Sequence, residues 1–470
     1  MNLLAAKAVY LIGIKGAGMT ALAELLMRHG VVVSGSDTEE VFYTDAVLKR
    51  LAITVYQPFA ATNVPEGATA FIYSTAYTQD NNEELRLAFA TGKPIFSYPE
   101  ALGLLTQNKL TIAVCGTHGK TTTTALLADV LQGMELAPSA IVGSEIKRWG
   151  GGALAGDGQY LVIEADEYQD KLRYYHPLAV VLTSVAWDHP DFFPTVTEYE
   201  AVFERFVARI PRHGVLIANG DDARVRVVAE HCPSAKVFYG LLEGNDVRVV
   251  DISVIDPESP EGKRGLRQRF SVEHQGKRLG PFTLRLAGKH NAENAAAVIA
   301  LALSLKLPFE SLAHSLELFT GTKRRFELIG EYQGALIFDD YAHHPDEIRV
   351  TLTAFRELYP NRSLKVIFHP HTYTRTKALL PDFAETLSAA DQVYLLDIYG
   401  SARETQGGVM SSDLVERINQ VYPGKAFYTP NRSELVKTLH QELGPRDLVV
   451  TMGAGDVWQV AETLVHSSST

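Results

Sequence analysis

Short apolar runs alternate with amphipathic stretches along most of the chain. Ala8 to Ile12 is apolar and ends in the turn Gly13-Ile14-Lys15-Gly16-Ala17-Gly18; apolar positions then recur at helical spacing from Met19 to Arg28, and Val31 to Ser34 is a second short run. Run, glycine turn, helix and run predict a βαβ unit. Ala70 to Tyr73, Asn82 to Ala90 and Pro94 to Phe96 repeat the pattern, which predicts a doubly wound parallel sheet over residues 1–107.

A second α/β unit, residues 108–322, opens with the strand Leu110 to Cys115 and a helix running to about Leu131. It continues through strands Tyr160 to Glu164 and Ala179 to Thr183, a helix from Val196 to about Arg209, a polar strand-like insertion around Val247 to Leu286, and a helix near His290. A third, residues 323–470, carries strands Ala335 to Phe338, Lys365 to Phe368, Gln392 to Leu396 and Asp447 to Thr451, with a helix after Pro345. The expectation is an α/β protein of three domains joined by short linkers, without solenoid repeats or low-complexity segments.

Composition fits this and removes several classes. A chain of 470 residues is about three times a typical domain of roughly 150. With 46% hydrophobic and 21% charged residues, disorder, collagen and coiled coil are excluded. A formal charge of -11 gives no footprint for nucleic acid. Cys115 and Cys232 form no CxxC pair and no disulfide framework, which suits a reducing cytoplasm. Lys7 and the early glycines break any signal-peptide pattern, and no apolar run reaches the roughly 18 residues of a membrane span. The expected location is cytoplasmic, with no membrane partner.

The strongest chemical signal is strand, Gly116-Thr117-His118-Gly119-Lys120-Thr121-Thr122, helix. A glycine loop at a helix N-terminus offers backbone N–H groups to phosphates, a lysine meets their charge, and a threonine hydroxyl can hold Mg2+. The loop is shorter than GxxxxGK[ST], which would need glycine where Val114 stands. Strand ends at Glu164-Ala165-Asp166-Glu167 and at Trp187-Asp188-His189 are the positions where a metal ligand would face those phosphates. His290, Asn291 and Asn294 open an alanine-rich helix; an asparagine amide can pair with an adenine edge or simply cap the helix. The N-terminal turn has Lys15 where a dinucleotide fingerprint needs glycine, and Asp37 stands where a ribose-binding carboxylate would sit. Residues alone leave open a dehydrogenase, which does not explain the phosphate loop, and a nucleotide switch, which does not need the histidine-rich third unit.

Together G-I-K-G-A-G-M-T, S-G-S-D, G-T-H-G-K-T-T-T-T, E-A-D-E, D-H, H-N-A-E-N, G-T-K-R-R-F, D-D-Y-A-H-H-P and H-P-H-T-Y-T-R-T-K span the chain. In this combination they resemble the Mur ligases, ATP-dependent amino-acid ligases of peptidoglycan precursor synthesis. The resemblance implies N-terminal Rossmann-like, central P-loop ATPase-like and C-terminal Rossmann-like domains, with ATP and Mg2+ as cofactors and a monomer or weak homodimer. In the branches that add later residues, a lysine that becomes carbamylated follows the D-H histidine by fourteen positions; here that position is Phe203. This leaves the branch that joins L-alanine to UDP-N-acetylmuramate and a recycling branch that joins a whole tripeptide. Tyr168 and the phenylalanines after Asp191 lean to recycling, whereas H-P-H-T-Y-T-R-T-K leans to L-alanine and weighs more.

By the same resemblance Gly13, Lys15, Gly16, Gly18, Asp37, Ser74 and Thr75 surround the UDP-sugar. Gly116 to Thr122 hold the ATP phosphates, with Lys120 against their charge, Thr121 and Glu164 at one Mg2+ and His189 at a second. His290, Asn291 and Asn294 surround adenine, Arg325 reaches the phosphates and Asp340 the ribose. Tyr341, His343, His371 and Arg375 form the amino-acid pocket, and His343 or His371 is the expected base for the amine. Thr372 stands where many members have arginine, which leaves Arg375 for the amino-acid carboxylate.

Overall fold

The computed structural model describes residues 1–255, 266–400, 404 and 407–466. Part of the insertion expected around Val247 to Leu286, residues 256–265, lies outside them. Among the described residues three sheets follow one another, as the α/β pattern predicts. The first has five parallel strands, with Ala8–Ile12 between Val32–Ser36 and Ala70–Tyr73. The glycine turn after Ala8–Ile12 feeds the helix Ala17–Arg28, whose apolar side is buried through Met19, Leu22, Leu25 and Leu26.

The second sheet has ten strands. At its centre Leu110–Cys115 lies between Tyr160–Glu164 and Ala179–Leu182, all parallel. The glycine loop and both acidic strand ends therefore emerge side by side at the carboxyl edge, where open α/β sheets bind ligands. The unbroken apolar run of the central strand has a direct cause: Ile112, Ala113 and Val114 are fully buried, as parallel strands covered on both faces must be.

The margins depart from the parallel expectation. Arg267–His274 and Lys277–Leu284 form an antiparallel hairpin, as do Glu327–Tyr332 and Ala335–Asp340 at the edge of the six-stranded third sheet. Each turns through two residues of positive φ, Gln275-Gly276 and Gln333-Gly334, the conformation that suits strand twist in a two-residue hairpin. A further hairpin, Ser139–Ile146 with Gly151–Leu154, extends the central sheet beyond Tyr160–Glu164.

That last hairpin receives the first domain. Glu24, fully buried on the helix Ala17–Arg28, accepts the N–H groups of Gly152 (2.9 Å) and Ala153 (3.1 Å) and the guanidinium of Arg28 (2.6 Å). A Cβ at Gly151 would lie 2.1 Å from the Glu24 carboxylate, so a larger residue there would push the carboxylate off these N–H groups. Nearby Glu145 pairs with Arg50 of the first domain (3.4 Å) and Lys323 of the third (2.8 Å), which joins all three units beside the cleft.

Candidate active site

The phosphate loop has the shape its sequence calls for. Gly119 (φ 81°) caps the helix Lys120–Gly133, and Gly116 (φ 127°) packs so closely that a Cβ would meet Thr183 Oγ1 at 2.3 Å. The Lys120 ammonium binds the carbonyls of Gly116 and Thr117 and Glu167 Oε2 (3.0 Å). Burial opposes its charge, but Glu167 and Asp166 outweigh that and raise its pKa. Glu167 is held in turn by Tyr199, whose hydroxyl donates to Glu167 Oε1 at 2.9 Å and lies 2.8 Å from Thr117 Oγ1.

Thr121 Oγ1 donates to Glu164 Oε1 at 2.7 Å, and Glu164 Oε2 accepts the Gly143 N–H at 2.7 Å. One strand over, His189 has φ 57°, a strained conformation for a non-glycine residue of the kind that collects at functional sites. Its ring lies 4.4 Å from that of Tyr168, and one atom each of Asp166, Glu167 and His189 lie within 4.8 Å of one another. Among these, burial opposes the charge on Asp166, but Lys171, Lys120 and His189 hold its pKa down at about 2.

A cavity of about 160 Å3 lies between the phosphate loop and the third domain. His118, Gly119, Thr121, Thr122, His290, Asn291, Asn294, Arg325 and Asp340 all border it. Asn291 Nδ2 donates to the Ala287 carbonyl (2.6 Å), and Asn294 Nδ2 to Asn291 Oδ1 (3.3 Å). Asp340 accepts N–H groups from Ala342 (2.8 Å) and Phe326 (2.7 Å), and burial lifts its pKa to about 6. Burial, with Arg325 nearby, lowers His290 to about 4. On the facing helix Pro345–Leu358, Asp346 and Glu347 reach His118 at 3.9 and 3.3 Å.

A larger cleft of about 380 Å3 joins all three domains. Gly16, Gly18, Ser74 and Thr75 border it from the first; Lys120, Thr121, Glu164, Asp188 and His189 from the second; Arg325, Tyr341 and His343 from the third. Gly13, Lys15 and Asp37 do not border it. Lys15 is 2% exposed, and its ammonium binds the carbonyls of Thr38 (2.9 Å) and Glu40 (2.8 Å) beside Asp45 (3.3 Å). Its charge is therefore spent on the 38–45 loop rather than offered to a phosphate, and Asp37 accepts the Lys15 N–H (2.7 Å).

In the third domain His343 Nδ1 faces the Tyr341 carbonyl (3.0 Å), while His371 Nδ1 faces Arg375 Nη1 (3.2 Å). A carbonyl only accepts and a guanidinium only donates, so neutral His343 carries its proton on Nδ1 and has a bare Nε2, whereas His371 is the reverse. Burial pushes His343 down to about 4, and burial with Arg375 pushes His371 well below the ordinary range. Arg375 closes Nε and Nη2 on Asp188, at 2.9 and 3.2 Å. Thr372 has φ 67°, and its N–H donates to the Tyr399 carbonyl (2.9 Å).

Three family profiles cover nearly the whole chain: Mur ligase family, catalytic domain, over residues 8–110; Mur ligase middle domain over 114–302; and Mur ligase, glutamate ligase domain, over 324–455. A UDP-N-acetylmuramate–L-alanine ligase of Desulfitobacterium hafniense is 40% identical over 459 residues, 97% of this chain and 99% of the relative. The chain belongs to the Mur ligase family. A ligase of the same name from Treponema pallidum is 36% identical over 97% of this Mur ligase and 96% of the relative. The crystal structure of UDP-N-acetylmuramate-alanine ligase MurC from Thermotoga maritima covers 98% of the chain with TM-score 0.83 at 27% identity, all of the other chain included. That of a murein peptide ligase from Psychrobacter arcticus shares the fold, at TM-score 0.74 and 22% identity over 98% of both chains. The three-domain α/β expectation and the family resemblance are both met.

In this Mur ligase Phe203 is fully buried within an aromatic series, its ring 5.2 Å from Tyr199. An apolar ring fills the position fourteen beyond His189. Sequence reasoning did not single out Glu347, which sits 3.3 Å from His118, 3.4 Å from His343 and 3.7 Å from Arg325. Its place in the first turn of a helix reads as ordinary capping. Asp188, paired with Arg375, was visible only as the neighbour of His189.

Proposed function

We propose that this Mur ligase joins L-alanine to the lactoyl carboxylate of UDP-N-acetylmuramate in the cytoplasm, driven by ATP. The observation that carries the reading is the single cleft to which the first domain brings Gly16, Gly18, Ser74 and Thr75, the second brings Lys120, Thr121, Glu164 and His189, and the third brings Tyr341 and His343. Relatives named for L-alanine ligation, 35% to 40% identical over 97% or more of the chain, favour this over the tripeptide-joining alternative.

The adjoining cavity receives the nucleoside of ATP among His290, Asn291, Asn294 and Asp340, with Arg325 and the Gly116–Thr122 loop toward the phosphates. Thr121 and Glu164 place two hard oxygen donors 2.7 Å apart, a pair that suits Mg2+, and His189 with its carboxylate neighbours suits a second. Bound there, Mg2+ supplies positive charge against the phosphate oxygens. Lys120 adds its own, exchanging loop carbonyls for the terminal phosphate.

The lactoyl carboxylate attacks the terminal phosphorus, the bond to the bridging oxygen breaks, and ADP and an acyl phosphate result. The neutral amine of L-alanine then adds to the activated carbonyl and phosphate leaves. His343, whose Nε2 is bare, is the acceptor for the amine proton; His371, with its proton on Nε2, orients. Contact between third and second domains around Arg375 and Asp188 excludes the water that would hydrolyse the acyl phosphate. Oxygen-18 in the lactoyl carboxylate tests the route: one label must appear in released phosphate for each amide formed, and unlabelled phosphate would refute it.

A further inference from the structure

The segment after the acidic strand end places a cation that none of the motifs contains. Gln169 (φ 59°) and Asp170 (φ 54°) are consecutive non-glycine residues in the left-handed region, which L side chains rarely adopt. Together they turn the chain back on itself. Lys171 thereby returns to the strand end, where its ammonium binds the Asp166 carboxylate and lies 5.3 Å from the centre of the Tyr168 ring. Its side chain is 12% exposed, and it borders the three-domain cleft with Gly16, Ser74 and Thr75 on one hand and Lys120, Glu164 and His189 on the other.

Besides Lys171, the cleft is bordered by four carboxylates and four other lysine and arginine side chains. Glu164, Asp166, Asp188 and Glu347 border it. Of the cations there, Lys120 faces the phosphate loop, Lys323 pairs with Glu145 (2.8 Å), Arg324 with Asp339 (2.9 Å), and Arg325 lies toward Glu347 (3.7 Å). Lys171 alone of these rises from the acidic strand end itself. An ammonium has three donors, and among the described residues Asp166 is the hydrogen-bond partner of Lys171.

Resting on the reaction proposed above, we infer that Lys171 receives the lactoyl carboxylate of the UDP-sugar and holds it between the first-domain cradle and the terminal phosphate of ATP. The strained Gln169-Asp170 turn exists to bring this ammonium into reach.

Calorimetric titration of the full chain with UDP-N-acetylmuramate, and with UDP-N-acetylglucosamine, which lacks the lactoyl carboxylate, separates this role from a structural one. Lys171→Met should weaken binding of the first by about tenfold or more, the loss of a hydrogen bond to a charged group. Binding of the second should stay within about twofold, and Lys171→Arg should restore part of the difference. Equal affinity of wild type and Lys171→Met for UDP-N-acetylmuramate overturns the inference, and so does an equal loss for both sugars. If wild type turns over UDP-N-acetylmuramate with L-alanine but shows no Lys171 effect, this inference alone fails. If wild type does not turn it over, the reading beneath fails and takes the inference with it.

Discussion

Arg375 of the third domain closes on Asp188 of the second with two contacts, Nε to Oδ1 at 2.9 Å and Nη2 to Oδ2 at 3.2 Å, between side chains that are 4% and 8% exposed. Burial opposes the charge of Asp188, but Arg375 and then His189 hold its pKa well below the carboxylate range. The guanidinium expected to grip the amino-acid carboxylate borders neither cavity and ties the third domain to the strand end that carries His189. Arg375→Lys keeps the charge and loses the planar fork. It should lower kcat/KM for L-alanine by about tenfold or more, the loss of one buried hydrogen bond between charged groups, while ADP affinity measured by calorimetry stays near wild type. Unchanged kcat/KM would show that the pair is dispensable.

Glu24 gives a stability test remote from the chemistry. Glu24→Ala leaves the buried N–H groups of Gly152 and Ala153 without their acceptor, and at roughly 1–3 kcal/mol each the chain should lose about 2–6 kcal/mol in chemical denaturation. Limited proteolysis should then cut at 107–109, where the first domain joins the second. Glu24→Gln keeps an acceptor and should lose less.

His118 predicts a pH dependence of closure in the nucleotide-free enzyme. Burial opposes its charge, but Asp346 and Glu347 outweigh this and raise its pKa to about 9, against about 6.5 for free histidine. The closed form binds the proton more tightly than a form with the helix Pro345–Leu358 withdrawn. Its contribution to closure is complete below about pH 6.5 and is lost as pH rises through about 9. X-ray scattering should show the radius of gyration growing from about pH 7 to about pH 9.5 in wild type, and no such growth in His118→Gln.

Glu164→Gln preserves the size of the side chain and removes its charge beside Thr121 Oγ1. The Mg2+ concentration for half-maximal activity should rise by about tenfold or more, with UDP-sugar affinity unchanged. An unchanged Mg2+ requirement would place the metal elsewhere.

Much of this site was legible because its motifs sit at ends of parallel strands. Leu110–Cys115, Tyr160–Glu164 and Ala179–Leu182 are neighbours, so motifs far apart in sequence meet by topology. What was not legible depends on another domain's backbone or on an unusual turn. Glu24 reads as a polar position on an amphipathic helix and is buried only because the Gly151–Leu154 strand arrives from elsewhere. Lys171 reads as a solvated charge after an acidic cluster; of the two residues that redirect it, Asp170 is a common turn residue but Gln169 is not. Lys15 is the opposite case: it stands out in the sequence as a lysine in a glycine turn, and the structure binds its ammonium to carbonyls of the 38–45 loop.

Phosphate release from ATP, with Mg2+ and UDP-N-acetylmuramate present, identifies the amine acceptor when L-alanine, the tripeptide L-alanyl-γ-D-glutamyl-diaminopimelate and no amine are compared. Stimulation by L-alanine alone, with one phosphate per amide formed, is the predicted result. Stimulation by the tripeptide and not by L-alanine would contradict it.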